Sequence, residues 1–301
     1  MSKTRNTTII IHSKLSYGYV GCNTTSFVLQ MNSQDVITVP TVLYSNHLSL
    51  ATVGGGIVPA PLFSELLEGI LKLNILDEIS TIITGYIGSS EQVKITADFI
   101  DTVKNKHPEI IYLCDPVMGD MDRNLYVPKD VPQAIIQYLI PLADILTPNQ
   151  FEFEQIIRKP IHSIKNLTEL YQEYSILPHQ QFVVTGCRLK NTPTQIIENI
   201  VIRNGEYEII NVTQINTNPP GTGELFTAHL HLLLLKDIVF NDAVTQCVRI
   251  LKVVLQKMRE ENRHEFKLTD IMFSMNSKVK SQKHEKLNKL SKKSLNYDEY
   301  I

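Results

Sequence analysis

The chain predicts an α/β protein built on a doubly wound, mostly parallel sheet flanked by helices. Short β-branched runs recur at residues 7–11, 80–84, 110–114 and 181–185, separated by helix-length segments. Unbroken apolar runs of that length suit strands covered on both faces. Ser13, Tyr86, Asp115 and Gly186 each follow the carboxyl end of one of these runs, where open α/β sheets place their ligands. At 301 residues and 43% hydrophobic composition, the chain is long enough to bury the core such a sheet requires.

Composition excludes several classes of function. A formal net charge of -2 argues against a nucleic-acid domain working through a broad basic surface. No apolar run is long and charge-free enough to span a bilayer, and Met1-Ser2-Lys3-Thr4-Arg5 leads into a strand-like run without a signal-peptide core. The expectation is a soluble protein of the cytoplasm, or of the nucleus as well, with no membrane partner. Cys22, Cys114, Cys187 and Cys247 lie far apart with no Cys-x-x-Cys pair, so reduced thiols are expected rather than a zinc site or a disulfide framework.

Taken in order, the elements carry their own punctuation. The run at 110–114 leads into Asp115-Pro116-Val117-Met118-Gly119-Asp120, a Pro- and Gly-marked loop holding two carboxylates that can face a ligand. Paired acids after a strand suit Mg²⁺ and the oxygens of nucleotide phosphates, although Asp115 in a turn can also cap backbone. Residues 143–154 form another strand-to-helix transition, with Pro148 or Asn149 opening the helix and acids in its first turn. Residues 196–202 and 206–212, joined by Arg203-Asn204-Gly205, predict a β-hairpin with an Asn-Gly turn. Residues 243–261 predict a long helix. One domain is expected over residues 1–278, followed by a lysine-rich tail at 279–301 with the composition of a disordered segment.

The most informative stretch is Asn218-Pro219-Pro220-Gly221-Thr222-Gly223-Glu224, a glycine turn running into an apolar helical pattern. Gly221 and Gly223 permit a tight bend and close approach, so free N–H groups and the helix dipole can converge on an anion. Glu224 sits in the first turn. Donors for developing charge beside a carboxylate base are what phosphoryl transfer to an alcohol needs, though Gly-Thr-Gly before an acid also reads as a plain helix cap.

Read together, these strings resemble the pyridoxal kinases of the ribokinase-like superfamily, from about Thr8 to the end of the long helix. The resemblance rests on Ser16-Tyr17-Gly18-Tyr19-Val20-Gly21, Ser45-Asn46-His47, Thr84-Gly85-Tyr86-Ile87-Gly88, residues 114–120, Leu125-Tyr126-Val127-Pro128, residues 141–152, and Gly221-Thr222-Gly223 with Leu225-Phe226. It implies a ribokinase-like fold and ATP-dependent phosphorylation of a B6 vitamer in vitamin B6 salvage. It places Ser13, His47, Leu48 and Tyr86 around the pyridine ring; without the family, His47 reads as a satisfied loop histidine and Tyr86 as a packing aromatic. It places Asp115, Tyr126, Thr147, Asn149, Glu152, Thr185 and Gly186 at ATP. Asp115, Asp120 and Glu152 would hold Mg²⁺, with waters between Glu152 and the metal, and a monovalent cation would accompany it. Gly221, Thr222 and Gly223 would form the anion hole and Glu224 the base. A homodimer is implied as well.

The departures from the family pattern are specific. The acid after Gly-Thr-Gly is an Asp in pyridoxal kinases and Glu224 here, which moves the carboxylate outward by roughly one carbon–carbon bond; a misplacement of about 1 Å can cost on the order of a hundredfold in rate. The family's Gln-Ser-His reads His12-Ser13-Lys14, its Ser-Asn-His-Thr reads Ser45-Asn46-His47-Leu48, and its Thr-Ser reads Thr185-Gly186. Leu48 removes a hydroxyl from the expected ring pocket. Gly54-Gly55-Gly56 is expected in a loop near that pocket. Two classes of function follow: an active pyridoxal kinase, and a catalytically weakened paralogue binding nucleotide or vitamer as a sensor or partner subunit. A hydroxymethylpyrimidine kinase is a more distant alternative, since those enzymes usually carry a Cys at the position of Glu224.

Overall fold

The computed structural model describes residues 5–173, 180–203 and 206–276. Its strands are β1 (Thr7–Leu15), β2 (Asp35–Tyr44), β3 (Gly55–Ile57), β4 (Ile79–Thr84), β5 (Ile111–Cys114), β6 (Gly119–Asp120), β7 (Asn124–Leu125), β8 (Ile145–Leu146), β9 (Gln181–Cys187), β10 (Ile196–Arg203) and β11 (Glu206–Thr213). Its α-helices are α1 (Cys22–Gln30), α2 (Ala60–Lys72), α3 (Ser90–Lys106), α4 (Val131–Ala134), α5 (Gln150–Ile157), α6 (Ile164–Glu173), α7 (Thr222–Leu234), α8 (Phe240–Glu260) and α9 (Leu268–Asn276).

Among the described residues nine strands form one sheet in the order β11-β10-β9-β8-β5-β4-β1-β2-β3. From β9 to β2 the pairing is parallel, and both edges are antiparallel, β10–β11 on one side and β3 on the other. The period-two alternation of the strands sorts their side chains into two cores. Ile9, Ile11, Ile82, Tyr112, Leu146 and Phe182 pack towards α2, α3 and α5. Ile10, Ile83, Leu113, Ile145 and Val183 pack towards α1, α7, α8 and α9. Because β1 pairs with β2 on one side and β4 on the other, chain order reverses there, and the carboxyl ends of all the parallel strands open on one edge.

The four runs identified in the sequence are β1, β4, β5 and β9, and the predicted hairpin is β10–β11, closed by the Arg203–Glu206 pair. Asn204 and Gly205 lie outside the described residues, as does the lysine-rich tail at 279–301. Three expectations need correction. β1 continues to Leu15 and β9 to Cys187, so Ser13 and Gly186 lie inside their strands rather than after them. Gly55 and Gly56 form β3 instead of a loop, paired with Leu43 and Tyr44; a Cβ on Gly55 would stand 2.0 Å from the Leu43 carbonyl oxygen, so glycine serves close strand pairing there. The long helix begins at Phe240, before the expected Ala243. β2 was not expected at all: Pro40 interrupts its pattern, and the structure accommodates it opposite His12, where the β1–β2 register shifts.

Among the described residues no helix is long and apolar enough to cross a membrane. Cys22, Cys114, Cys187 and Cys247 are all buried and unpaired, packing as small hydrophobes.

Helix α7 is buried on nearly every side, and this explains two histidines in an apolar helix. His231 Nε2 lies 2.9 Å from Thr8 Oγ1 on β1, and His229 Nε2 lies 2.8 Å from Ser274 Oγ on α9. The Ser274 hydroxyl donates to the Ile271 carbonyl, so His229 donates to Ser274. Burial lowers both imidazoles from 6.5 to about 4. Their folded pKa lies below the unfolded one, so the unfolded chain takes up protons that the fold refuses as pH falls from 6.5 towards 4. Each histidine then withdraws stability on the order of 3 kcal/mol by pH 4. Urea midpoints should fall more steeply through that window than those of a variant that lacks one of these imidazoles. His231→Gln, which keeps a hydrogen-bonding partner for Thr8 without a titrating group, should flatten the decline by about one proton's share.

Candidate active site

The carboxyl ends of the parallel strands and the start of α7 enclose a cleft of about 1120 Å³. Every residue singled out from the sequence for a site role lines it: Ser13, His47, Leu48, Tyr86, Asp115, Asp120, Tyr126, Thr147, Asn149, Glu152, Thr185, Gly186 and the 221–224 turn.

The turn decides between a helix cap and an anion site. Gly221 has φ +98°, and a Cβ there would come within 2.4 Å of the Tyr19 carbonyl oxygen, so only glycine fits. Thr222 Oγ1 donates to the Pro219 carbonyl at 2.8 Å, which pins the bend. No side chain among the described residues caps α7. Its leading N–H groups are therefore left for whatever enters the cleft, with the positive end of the helix dipole behind them.

Helix α5 shows the opposite arrangement. Asn149 Oδ1 accepts from Glu152 N at 2.9 Å and Glu152 Oε2 accepts from Asn149 N at 2.8 Å, a complete capping box. Glu152 Oε1 accepts from Met118 N at 3.0 Å, so one carboxylate oxygen holds the start of α5 and the other holds the loop that carries Asp115. Asn149 Nδ2 reaches the Gly119 carbonyl at 2.8 Å. The acids in this first turn thus brace the floor of the cleft, and contact from Glu152 to a bound cation would run through water.

Asp115 stands opposite the glycine turn, its Oδ2 lying 3.5 Å from where a Cβ on Gly223 would be. Thr227 Oγ1 donates to it at 3.3 Å and lies 3.3 Å from Thr147 Oγ1. Burial pushes the Asp115 carboxyl well up, and Glu152 and Glu224 add to the shift against the Thr227 hydrogen bond. Burial likewise raises Glu152, against the N–H groups of Asn149, Met118 and Gly119. Mutually repelling buried carboxyls fit a divalent cation, whose charge would relieve them. Among the described residues no three His, Cys, Asp or Glu side chains could hold a metal by themselves. Asp120 plays a structural part as well: its Oδ1 accepts from the backbone N of Asp122 and Arg123 and its Oδ2 from the Tyr126 hydroxyl, holding the β6–β7 turn over the cleft.

Tyr86 is half-buried with its hydroxyl 3.4 Å from the Tyr126 carbonyl, and burial, then Tyr44, pushes its phenol up to about 12. His47 Nδ1 accepts from Ser49 N at 3.1 Å; burial lowers its pKa although Glu224 opposes this. Leu48 is 45% exposed and open to the cleft. Gly186, at φ +70°, has no atom within 4 Å of its missing Cβ, so the space a serine would fill faces the cleft.

Sequence reading passed over several residues. Thr227 lies one helical turn after Glu224 on the same face of α7, a spacing that could have revealed it. Arg188, two residues past Gly186, is legible by the same strand-end rule. Arg123 and Lys252 also line the cleft and supply positive charge for a polyphosphate, but no local pattern marks them.

Residues 58–269 match the phosphomethylpyrimidine kinase family. A pyridoxal kinase of Corynebacterium diphtheriae is 31% identical over 223 residues, 73% of this chain and 79% of the relative. The pyridoxal kinase of Homo sapiens is 30% identical over 236 residues, 73% of this chain and 74% of the relative. The structure of pyridoxal kinase from Leishmania donovani in complex with ADP and pyridoxamine has the same fold, with TM-score 0.80, 23% identity, and coverage of 90% of this chain and 96% of that one.

Gly221→Ala tests the turn. It combines backbone strain of about 1–3 kcal/mol with a collision on Tyr19. Calorimetry with Mg²⁺–ATP should show at least about tenfold weaker binding, the equivalent of 1.4 kcal/mol. Wild-type affinity would mean that the turn does not meet the phosphates.

Proposed function

The chain belongs to the pyridoxal kinase family of ribokinase-like enzymes, and from that premise we propose that it transfers the γ-phosphoryl group of ATP to the 5′-hydroxyl of pyridoxal, pyridoxine or pyridoxamine. The observation that carries this reading is the uncapped start of α7, which puts Gly221, Thr222 and Gly223 beside a carboxylate and opposite Asp115 in one cleft.

In this reading ATP lies along Tyr126, Thr147, Asn149, Thr185 and Gly186, with its phosphates running towards the glycine turn. Arg123, Arg188 and Lys252 offset phosphate charge. The vitamer ring occupies the end formed by Ser13, His47, Leu48 and Tyr86. Glu224 takes the proton of the 5′-alcohol as its oxygen attacks the γ-phosphorus; the new O–P bond forms as the bond to ADP breaks, and the N–H groups of the turn meet the charge on the transferring group. Asp115 and Asp120, with Glu152 through water, would hold Mg²⁺, which neutralises charge on the phosphates when bound. Residues 1–278 act as one catalytic domain in this account.

The match to the phosphomethylpyrimidine kinase family favours a second reading, phosphorylation of a hydroxymethylpyrimidine. The carboxylate of Glu224, where those enzymes usually carry Cys, weighs against it. The homodimer implied by the resemblance has a candidate surface in Leu43, Ile57, Leu62 and Leu66, exposed apolar side chains on β2, β3 and α2. Light scattering should give twice the chain mass, and Leu62→Glu should shift it towards one.

A coupled ADP-release assay with each B6 vitamer, a hydroxymethylpyrimidine and an acceptor-free control tests the reaction. ADP release should require a B6 vitamer. Glu224→Gln should abolish nearly all turnover while ATP affinity stays within about twofold, since the lost interaction belongs to the transition state. Leu48→Thr should lower KM for pyridoxal more than it changes kcat, because a restored ring contact is mainly uniform binding. Release supported by the pyrimidine alone would replace the proposal with the second reading.

A further inference from the structure

His12 has no place in the chemistry described so far, yet it is 2% exposed and lies directly behind Glu224. Its ring is fixed from both sides by missing side chains. A Cβ on Gly85 would fall 2.0 Å from His12 Cδ2 and Nε2, and one on Gly21 would fall 2.9 Å from Nδ1. An imidazole fits this slot because residues 21 and 85 are glycines. Its orientation is set by Ser13: Nδ1 accepts from Ser13 N at 2.8 Å, and Ser13 Oγ lies 3.1 Å away. A nitrogen that accepts must keep its lone pair, so the neutral ring carries its proton on Nε2. Burial favours that neutral ring, lowering its pKa against the pull of Glu224.

Nε2 has no hydrogen-bond partner among the described residues, although it is fully buried. An orphaned donor in such a place is costly, and a partner within reach explains it. Glu224 Oε1 lies 3.9 Å away and already accepts from Gly21 N at 3.2 Å. A shift of about 1 Å brings the carboxylate to ordinary hydrogen-bond distance from Nε2–H. The added methylene of glutamate supplies displacement of the same order.

The geometry points to His12 as a positioning residue for Glu224: Nε2–H and the Gly21 N–H together hold Oε1 and leave Oε2 turned to the cleft. The inference rests on the kinase reading for its consequence, acceptance of the alcohol proton at Oε2. His12 itself neither gains nor loses a proton, and what it supplies is the aim of a longer acid. His12 and Glu224 therefore work as a pair, replacing together the Gln and Asp of the family pattern.

Two substitutions separate positioning from mere support of the strand. His12→Gln places an amide donor where Nε2 stands and gives up the acceptor for Ser13. His12→Asn keeps an acceptor for Ser13 and withdraws the donor from Glu224. The expected result is kcat within about threefold of wild type for His12→Gln and about tenfold to a hundredfold lower for His12→Asn, with ATP affinity and melting temperature little changed in either. In a Glu224→Gln background His12→Asn should cost nothing further. Equal losses in the two variants, or a larger loss in His12→Gln, would overturn the proposal.

A second measurement does not depend on turnover. In the full chain labelled with ¹⁵N-histidine, the His12 spectrum should show a protonated Nε2 and an unprotonated Nδ1, and Glu224→Gln should move the Nε2 resonance while leaving Nδ1 in place. A His12 spectrum unaffected by Glu224→Gln rejects the pairing whatever the enzyme catalyses. Absence of vitamer-dependent ADP release from wild-type protein, with the spectral response intact, would reject the kinase reading and retain the pair.

Discussion

The unsatisfied start of α7 is the constraint around which the site is arranged. A buried helix must find partners for its leading N–H groups, and this one has no capping side chain among the described residues. The donors it leaves free lie at the carboxyl edge of the sheet, beside the point where chain order reverses. Gly221 holds the bend, with a backbone so close to Tyr19 that no side chain could intervene. Helix α5 meets the same physical demand with its own Asn149 and Glu152, and it consequently serves as a brace. Two helix starts in one cleft thus take different roles according to which of them is capped.

Charge follows from that arrangement. Asp115, Glu152 and Glu224 converge where burial already penalises carboxylates, and the first two are raised by burial and by their neighbours. The cleft answers with Arg123, Arg188, Lys252 and the α7 dipole. Negative groups suited to a cation and positive groups suited to a polyphosphate stand side by side. A metal-bound nucleotide satisfies both sets, whereas either component alone would leave one set unbalanced.

Close backbone approach is the second recurring device. Gly21 and Gly85 admit the His12 ring, Gly55 admits the Leu43 carbonyl, and Gly119 admits the Asn124 carbonyl within 2.0 Å of where its Cβ would be. In each case the absent side chain lets one segment lock another. An imidazole at 12 stands beside the acid at 224, in a slot that side chains at 21 and 85 would close.

Local pattern determined much of this protein. β-branched runs with their strand-end residues predict the parallel core, since a strand buried on both faces must be apolar along its length. Gly-Thr-Gly before an acid predicts the helix start, because φ near +98° is written into the choice of glycine. Asn149 and Glu152 spell a capping box three residues apart. Tertiary structure decided what depends on residues distant in sequence. Pro40 obscured β2, which stands because it pairs with β1. The glycines at 55 and 56 read as a loop until strand pairing required them. Arg123 and Lys252 acquire meaning only when the loop between β6 and β7 and helix α8 meet over the cleft. His12 and Glu224 stand 212 positions apart, and they come within 3.9 Å because α7 packs on the sheet face that covers β1: local preference is set by neighbours along the chain, but the approach of remote side chains is set by packing.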